Sequence, residues 1–342
     1  MKARELGIAI GSLEPGPLDA ITDVEGVRVG HTTLIEGDDV RTGVTVVLLP
    51  EEPLFAAPFR LNGNGEMTGL EWVRESGLLT TPIGLTNTHS VGVVRDALVR
   101  LAVAREDAPD WSLPVVAETW DGFLSDINGF HVRDEHVFAA VEEASAGVVA
   151  EGNTGGGTGM ICHGFKGGIG TASRVAEDGH IVGVLVQANH GRRSRLAVDG
   201  VPVGAELGGE RIPLPGAPDG AGSIIVVVAT EAPLLPHQCE RLARRAALGI
   251  GRTGGVGEDS SGDLLLAFAT GNRGVGGDEP TTVSLLPGPS MNALFVAAVE
   301  ATEAAILNAL LAAETMTGRK GRTAHALDPE ALVEVMKRYG RA

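Results

Sequence analysis

The sequence predicts a layered protein of mixed helices and sheets, an α+β or α/β sandwich. Its apolar residues form many short runs punctuated by glycine, and several of these, such as VGVLV, IIVVV and LLLAFA, are continuous rather than alternating. Continuous Val, Ile and Leu runs are typical of strands that are covered on both faces. Helical patterns are fewer and lie at intervals between the strands. Together these two observations predict stacked layers around extended sheets.

The strands are predicted from the apolar runs and from the turn residues that bound them. They cover residues 27–29, 44–49, 83–87, 115–117, 159–163, 181–188, 224–230, 264–270 and 283–286.

The helices are predicted from capping residues followed by helical spacing of apolar residues. Ser90 is the expected N-cap of a helix to about 105, and Asp134 that of a helix over 135–145. Pro236 opens a helix that Gly249 ends, the longest helix covers 291–315, and Asp328 caps the last, over 329–337.

Composition excludes several classes of function. The chain has 342 residues, of which 49 are glycine, and a net charge of −17. Nucleic acids and anionic membranes both require a basic footprint, so neither is an expected partner. No signal-peptide pattern and no apolar run of membrane-spanning length is recognised, so no membrane span is expected. The two cysteines, Cys162 and Cys239, are expected to be buried thiols of a reduced, cytoplasmic protein.

An irregular loop is predicted over residues 213–222, PLPGAPDGAG, because its three prolines and three glycines prevent a helix or a central strand. Ser223 follows it at the start of a buried strand. On spacing alone Ser223 is a strand-start residue with a local hydrogen bond. The alternative is a self-cleaving bond before Ser223, whose new α-amine would act as the general base for its own hydroxyl.

Two further polar clusters lie at strand ends. Ser261 and Asp263 are two residues apart, so in extended chain they face the same side and are able to form a relay to a nucleophile. Asn189 ends the VGVLVQAN segment, where its amide is able to donate to an oxyanion. On spacing alone, an ordinary polar turn is the preferred interpretation of each cluster.

The glycine-rich segment 153–160, NTGGGTGM, does not predict a nucleotide site. It matches neither phosphate-loop pattern, and strand-like residues follow it where a helix would be required. Close backbone packing or a pocket wall is the preferred interpretation. The nine histidines are scattered and no Cys/His pair has zinc spacing, so no metal site is expected.

Taken in order along the chain, these segments resemble a known family. The resemblance rests on ITDVEGVRVGHTT, RTGVTVVLLP, LTNTHSVG, AETWDG with the following DIN, GNTGGGTGM, VLVQAN, AGSIIVVVAT and SSGDLLLAFAT, which together extend from about residue 6 to 315. The chain is similar to the L-aminopeptidase/D-esterase (DmpA-type) peptidases, which include the β-peptidyl aminopeptidases.

The resemblance implies a four-layer α/β/β/α sandwich of the N-terminal-nucleophile type, DmpA- and ornithine-acetyltransferase-like, forming one catalytic domain over 1–342. It implies self-cleavage between Gly222 and Ser223 into fragments 1–222 and 223–342, with Ser223 as nucleophile. The family's active site also contains a second serine and an acidic residue paired with it, which correspond here to Ser261 and Asp263. The family's oxyanion-binding asparagine corresponds to Asn189. Members need no cofactor and are commonly homotetramers.

One departure from the expected family pattern is visible. Trp120 stands where a tyrosine is expected in AET-Y-DG, and an indole N–H donates a hydrogen bond but does not relay a proton. The acidic partner is Asp263, whose side chain is one methylene shorter than the glutamate of those relatives that carry one there. Trp120 is a candidate helper at the oxyanion. Glu118 and Asp121 are candidates to neutralise a substrate amine, and ordinary surface salt bridges would explain them equally well.

The leading functional hypothesis is a self-processing serine aminopeptidase or amidase that acts on short peptides, amides or esters with a free amino terminus. An amidohydrolase of non-protein oligomers, such as nylon-type amides or β-peptides, is the nearest alternative. An ornithine-acetyltransferase type is disfavoured because it uses a threonine nucleophile. A non-enzymatic binding protein that never cleaves is the alternative from another class.

Overall fold

The computed structural model describes residues 1–50, 53–105, 108–216 and 222–341. Its strands, numbered in chain order, are β1 (Arg28–Glu36), β2 (Val40–Leu48), β3 (Leu54–Gly63), β4 (Leu78–Leu79), β5 (Ile83–Asn87), β6 (Val115–Thr119), β7 (Ile161–Cys162), β8 (Phe165–Lys166), β9 (Gly168–Val175), β10 (Ile181–Asn189), β11 (Ser223–Thr230), β12 (Gly262–Ala269), β13 (Met316–Gly318) and β14 (Arg322–Ala324). Its α-helices are α1 (Leu70–Ser76), α2 (Val91–Val103), α3 (Asp134–Glu142), α4 (Val203–Glu206), α5 (Pro236–Arg252), α6 (Met291–Ala312) and α7 (Pro329–Arg338).

Two main sheets organise the chain. The smaller has the order β1-β2-β5-β6 and the larger the order β4-β3-β12-β11-β10-β9. In the larger sheet β11 runs antiparallel to β10 and parallel to β12. The parallel pair requires a crossover connection, which α5 supplies. The amino-terminal ends of β11 and β12 therefore meet at the same sheet edge as the carboxyl end of β10.

Three apolar cores separate four layers. One lies between the smaller sheet and helices α2 and α3. A second fills the space between the two sheets, and the third lies between the larger sheet and helices α5 and α6. Both faces of each central strand are therefore buried, which is why β11 and β12 read as continuous apolar runs. The predicted α/β/β/α sandwich is confirmed.

Helix α6 is the core helix of the outer layer. The segment Gly288–Ala312 is long and apolar enough to cross a membrane by length and composition, although the sequence analysis recognised no such run. Of its most apolar window, 83% is buried inside the protein. It packs on β9, β10 and α5. Burial against the sheet accounts for its apolar character on all sides.

The predicted strand over 283–286 is wrong. The backbone groups of this segment form hydrogen bonds with two side chains and with the Pro233 carbonyl, and not with a neighbouring strand. The Asn272 side chain accepts from Ser284 N at 2.8 Å and donates to Ser284 O at 3.0 Å, and Gln238 Nε2 donates to Leu286 O at 2.8 Å. Of this segment only Leu286 is buried, and Leu285 is 56% exposed, so the apolar pattern here marks neither a buried nor a paired strand.

Strand β3 was not predicted, and Pro58 explains why. Proline removes a ladder donor and argues against a central strand. On the side away from β12, β4 pairs only with Leu54 and Phe55. Beyond Phe55 no described strand pairs with β3 on that side, so this part of β3 is an edge strand, the place in a sheet where proline is tolerated. Strand β9 was also missed, because glycine and small polar residues in GIGTASRV break its apolar pattern.

Helix boundaries differ from expectation by a few residues. Asp134 is the first residue of α3 rather than its cap, a position occupied by Arg133. Asp328 caps α7 as predicted and accepts hydrogen bonds from Glu330 N and Ala331 N. Ser90 is the N-cap of α2, although its side chain makes no capping bond. Of the predicted loop 213–222, residues 217–221 lie outside the described residues.

Candidate active site

Ser223 is the first residue of β11 and lies at the edge where three strands begin or end. Its register partner is Asn189, the last residue of β10. On the other side, Ile224 pairs with Asp263 of β12. The backbone N–H of Gly262 donates to Ser223 Oγ at 2.9 Å. Sheet pairing thus brings together three predicted site residues that are up to 74 positions apart in the chain.

Gly222 occupies a position that only glycine fits. Its φ is +132°, in the region that favours glycine, and an added Cβ would lie 1.8 Å from the carbonyl oxygen of Asn189. Because no side chain intervenes, the backbone before Ser223 passes directly over the end of β10. The same Cβ position lies 3.2 Å from Asn189 Nδ2, so the Asn189 amide lies beside the Gly222–Ser223 junction.

Ser261 and Asp263 form a buried pair, as their spacing predicted. Ser261 Oγ donates to Asp263 Oδ1 at 2.5 Å, and each residue is 1% exposed. Burial raises the pKa of Asp263 to about 6, with Glu258 adding to the rise and the Ser261 hydroxyl and the Ile224 backbone N–H opposing it. Asp263 is therefore a carboxylate at neutral pH whose proton affinity is within the range of a catalytic group.

The Asn189 side chain is fixed at both ends of its amide. Oδ1 accepts from Ile161 N at 2.7 Å, and Nδ2 donates to Trp120 O at 3.0 Å. An amide NH₂ carries two hydrogens, so one N–H remains for another acceptor. The two bonds settle the orientation of the amide. Asn189 is thus a pre-oriented donor beside Ser223.

A second loop, from the end of β3, holds the turn that precedes Ser261. The Asn62 side chain donates to the carbonyl oxygens of Glu258 and Ser261, and Asn64 Nδ2 donates to Ser260 O at 2.9 Å. Sequence analysis missed both asparagines. The signal that was available is the run LNGNG, two asparagines set among glycines, which is typical of a turn that uses side-chain amides.

Glu118 is a buried carboxylate on β6, in the opposite sheet. Thr88 Oγ1 donates to its Oε2, and Glu66 N donates to its Oε1 at 3.0 Å. Burial raises the pKa of Glu118, and those two hydrogen bonds oppose the rise. No cation is bonded to Glu118 among the described residues, although the nearby His89 favours its ionised form and the nearby Glu66 carboxylate opposes it. A cationic ligand group would compensate it further.

A single cleft of about 440 Å³ connects Ser223 with Glu118. It is lined by Asn64, Gly65, Glu66, Thr88, Glu118, Trp120, Gly222, Ser223 and Ser260. Two of these residues are acidic and none is basic. The cleft therefore favours a ligand that carries a positive charge next to a group able to react with a hydroxyl.

Of the two remaining predicted pocket residues, Trp120 lies in the cleft and Asp121 lies in the protein interior. Trp120 lines the cleft and is 38% exposed, with its ring over Gly122. Asp121 does not line it. It is fully buried beside Thr42 and Asn87, and burial raises its pKa to about 7. Successive residues of an extended chain point to opposite sides, so Glu118 and Trp120 share the cleft and Asp121 faces away.

The glycine-rich segment packs closely against neighbouring backbone. Residues Gly155–Gly157 form a 3₁₀ turn in which all three glycines are buried. A Cβ on Gly156 would lie 2.7 Å from Leu85 O, and one on Gly157 would lie 2.3 Å from Ile169 N. The turn therefore ties the two sheets together where no side chain fits, as the close-packing interpretation predicted.

Comparison with known proteins agrees with this geometry. The model of Peptidase family S58 matches residues 19–324. The chain belongs to Peptidase family S58. It is 48% identical to a β-peptidyl aminopeptidase of Sphingosinicella microcystinivorans, over 99% of this chain and 93% of that protein. The DmpA-type resemblance is confirmed, and the chain is a hydrolase, an aminopeptidase of this family.

Solved structures of this S58 peptidase's relatives share its fold. A β-aminopeptidase from a Burkholderia species superposes with a TM-score of 0.93 at 52% identity, covering 99% of both chains. The L-aminopeptidase D-Ala-esterase/amidase of Ochrobactrum anthropi, described as a variant of the Ntn hydrolase fold, superposes with a TM-score of 0.91 at 43% identity, again over 99% of both chains. The N-terminal-nucleophile hydrolase fold is therefore shown for this S58 peptidase.

Proposed function

We propose that this S58 peptidase removes N-terminal residues from short peptides, amides and esters through an acyl-enzyme on Ser223. The observation that carries the proposal is the placement of the Ser223 hydroxyl and the Glu118 carboxylate in one cleft without basic residues. In the first step Ser223 Oγ attacks the substrate carbonyl and the leaving amine departs. In the second step water releases the acyl group and regenerates the hydroxyl.

The general base is the α-amine of Ser223, which exists only after the chain is cut before that residue. An α-amine has a reference pKa of about 7.7–8.0, so part of it is neutral at pH 7 and able to accept the hydroxyl proton. Ser261 and Asp263 assist it. Their short hydrogen bond supplies a buried negative charge beside the first residue of β11, where it stabilises the ammonium that forms.

Asn189 stabilises the tetrahedral oxyanion. Its second Nδ2 hydrogen is uncommitted within the described residues, and its orientation is settled by bonds to Ile161 and Trp120. A donor that is already oriented needs no reorganisation when charge develops. Trp120, at the exposed side of the cleft, adds apolar contact to the substrate and its indole N–H is a second candidate donor.

Glu118 recognises the free amino terminus. It is buried, it accepts only neutral donors among the described residues, and it shares the cleft with Ser223. A substrate ammonium would supply a hydrogen-bonded cation, which none of the described residues provides for this carboxylate. This accounts for exopeptidase rather than endopeptidase action, because an acylated amine neither carries the charge nor fits beside the carboxylate.

Self-cleavage follows from the same arrangement. In the uncut chain the Ser223 hydroxyl lies next to the carbonyl of Gly222, which it attacks to form an ester that water then hydrolyses. The Gly222 backbone already lies against the end of β10, within reach of the Asn189 amide. The same donor would therefore stabilise the oxyanion of the maturation step and of the catalytic step.

The decisive test compares the wild-type chain with Ser223→Ala. Wild type should separate into fragments of about 23 and 12 kDa, the shares of 35.2 kDa that fall on residues 1–222 and 223–342, and the smaller should begin Ser-Ile-Ile-Val. Ser223→Ala should stay intact and inactive. Cleavage of that variant at the same bond would show that a contaminating protease makes the cut, and a different N-terminus would move the nucleophile elsewhere.

Substrate preference is tested by measuring hydrolysis of a panel of aminoacyl p-nitroanilides that contain α- or β-amino acids. We propose that β-amino acids and small L-amino acids are both accepted, supported by the relatives named β-peptidyl aminopeptidase and L-aminopeptidase. Glu118 and Ser223 lie on different sheets and line the same cleft, so the distance between them sets how far the substrate amine lies from its carbonyl. Hydrolysis of only N-acylated amides would contradict the proposal.

We also propose a cytoplasmic homotetramer. The family resemblance supports the oligomeric state, and the two free, buried cysteines are compatible with a reducing compartment. Sedimentation equilibrium of the processed protein tests the tetramer directly.

A further inference from the structure

Three side chains with metal-binding atoms meet in the interior near the end of β10. They are Cys162, at the end of β7, His163, in the turn that follows, and His190, the residue after β10. The cysteine sulfur and one nitrogen of each ring all lie within 4.8 Å of one another. Cys162 and His163 are 0% exposed and His190 is 2% exposed. None of the three lines the cleft that holds Ser223.

The backbone is shaped to bring these side chains together. His163 has φ of +49°, a left-handed conformation that is strained for a residue with a side chain. His163 N donates to His190 O at 2.7 Å, which ties the turn to the end of β10. In extended chain Cys162 and His163 would point to opposite sides, whereas the left-handed turn allows both to face His190. Such strain is retained where the side-chain placement matters.

The hydrogen bonds leave ligand atoms without partners. His163 Nδ1 lies 3.2 Å from Arg192 O, and the N–H that this bond requires leaves Nε2 as a bare lone pair. His163 Nε2 is buried and has no hydrogen-bond partner. A backbone carbonyl on one imidazole nitrogen is the usual outer partner of a metal-binding histidine. His190 Nδ1 faces Cys162 Sγ at 3.7 Å, and its Nε2 is likewise buried and unpartnered.

We propose that Cys162, His163 and His190 bind one Cu(I) ion. The donor set is one thiolate and two imidazoles, which suits soft and borderline metals. A thiolate with Cu(I) is electrically neutral, and this matters because the Arg193 guanidinium donates to the His163 carbonyl at 3.2 Å. A Zn²⁺ ion would leave a net positive charge beside that guanidinium. Zinc also prefers four ligands, and the cluster offers three.

Binding exchanges a proton for the metal without a change of oxidation state. The Cys162 S–H bond breaks, the S–Cu bond forms, and the proton passes to solvent.

Sequence spacing did not reveal this cluster. Cys162 and His163 are adjacent rather than two to four residues apart, and His190 reaches them only through the register of β10. The proposal is independent of the hydrolytic function, because none of the three residues is assigned a role in hydrolysis.

The test is copper stoichiometry of the full-length protein. The protein is produced in copper-supplemented bacteria, purified anaerobically with ascorbate, and measured by elemental mass spectrometry. A parallel sample is titrated with Cu(I) in competition with bicinchoninate, with long incubation because the ligands are buried. We expect about one copper per chain and a raised Tm, since an ion that binds only the folded state stabilises it.

Variants identify the ligands. Cys162→Ala and His190→Gln should each reduce bound copper at least about tenfold, because two remaining ligands do not complete the site. Cys239→Ala is the matched control, a second fully buried thiol that lies outside the cluster, and should keep wild-type stoichiometry. Circular dichroism and chain processing check folding of each variant.

Three results would overturn the proposal. The first is a wild-type protein that holds no copper after both treatments. The second is copper retained by the folded Cys162→Ala or His190→Gln variant, and the third is zinc retained in preference to Cu(I). If one variant fails to fold, the other and the wild-type stoichiometry still decide the outcome.

Discussion

Ser261 Oγ donates a 2.5 Å hydrogen bond to Asp263 Oδ1, and this bond joins the last residue before β12 to the second residue of the strand. Asp263 is also the register partner of Ile224, the residue after Ser223. The carboxylate is thus held by sheet pairing on one side and by a hydroxyl on the other. Burial makes the ionised form of Asp263 costly. At neutral pH the site nevertheless holds this negative charge, which lowers the stability of the folded chain.

Asp263→Asn should make the protein more stable at neutral pH. The pKa of Asp263 rises from 3.8 to about 6 in the folded state, so its favourable contribution is complete below pH 3.8 and is lost as pH rises through 6. Asparagine avoids the cost of ionisation and still accepts from Ser261. Relative to the parent, the variant's unfolding free energy should rise by up to about 3 kcal/mol between pH 4 and 7.

Urea unfolding measures this difference, with Ser223→Ala as the parent so that the chain is in one piece. Asp259→Asn is the control, an exposed carboxylate in the same turn, and should leave the pH dependence unchanged. If the difference in unfolding free energy does not vary with pH, ionisation of Asp263 does not destabilise the folded chain and the prediction is wrong. In the Ser223 wild-type background, Asp263→Asn should also slow both the maturation cut and hydrolysis.

Asn189→Ala should lower kcat by roughly 10²–10³ with little change in KM, because an oxyanion donor acts mainly in the transition state. Alanine also removes the acceptor of Ile161 N. Asn189→Asp separates the two effects, since it keeps that acceptor and removes the donor. Steady-state kinetics on a neutral aminoacyl amide measures both. Near-wild-type kcat in Asn189→Ala would assign the oxyanion site to other donors, such as the backbone N–H groups near Trp120 or in 153–159.

Glu118→Gln should lower kcat/KM about tenfold to a hundredfold, mainly through KM, because a hydrogen bond to a charged group contributes about 1.5–3 kcal/mol. The comparison variant is Glu66→Gln. Glu66 lines the same cleft but contacts Glu118 through its backbone N–H, so its substitution should have a smaller effect. A larger loss for Glu66→Gln would make Glu66 the residue that binds the amine.

Gly222→Ala should block or greatly slow self-cleavage. The added Cβ would lie 1.8 Å from Asn189 O at a φ of +132°, so the Gly222–Ser223 junction must move away from the end of β10. Gly216→Ala is the control, because Gly216 also has a positive φ, +74°, but has open space around its Cβ position. Gel analysis of processing over time compares them. Equal rates for Gly222→Ala and wild type would show that the close approach is not required for the cut.

Local sequence predicted where several candidate residues lie in the strands, whereas the roles proposed for them came from the family resemblance. Ser223 begins a strand after a segment that cannot be regular, and β11 does begin at Ser223. Ser261 and Asp263 are related by the period of two of extended chain, and they do form a pair. Asn189 ends an apolar run, and β10 ends there. Each of these predictions depends on neighbours within a few residues.

Other features depended on strand order and register, which local patterns do not contain. Glu118 and Asp121 were both candidates to bind the substrate amine. The choice between them depended on which side chains of β6 and the residues after it point toward the larger sheet, and of the two only Glu118 lines the cleft. The contribution of Asn62 and Asn64 required the pairing of β3 with β12, hidden by Pro58.

Sequence by itself determined the continuous apolar runs of the central strands, the starts of β5, β6 and β10, and the family to which the ordered motifs belong. Tertiary structure alone decided which strand ends meet. It placed Asn189 opposite Ser223 through the β10–β11 register, and it gathered Cys162, His163 and His190 through one left-handed turn. The physical reason is that burial and local conformation are properties of short segments. Contacts between distant residues depend instead on how the whole chain packs its sheets.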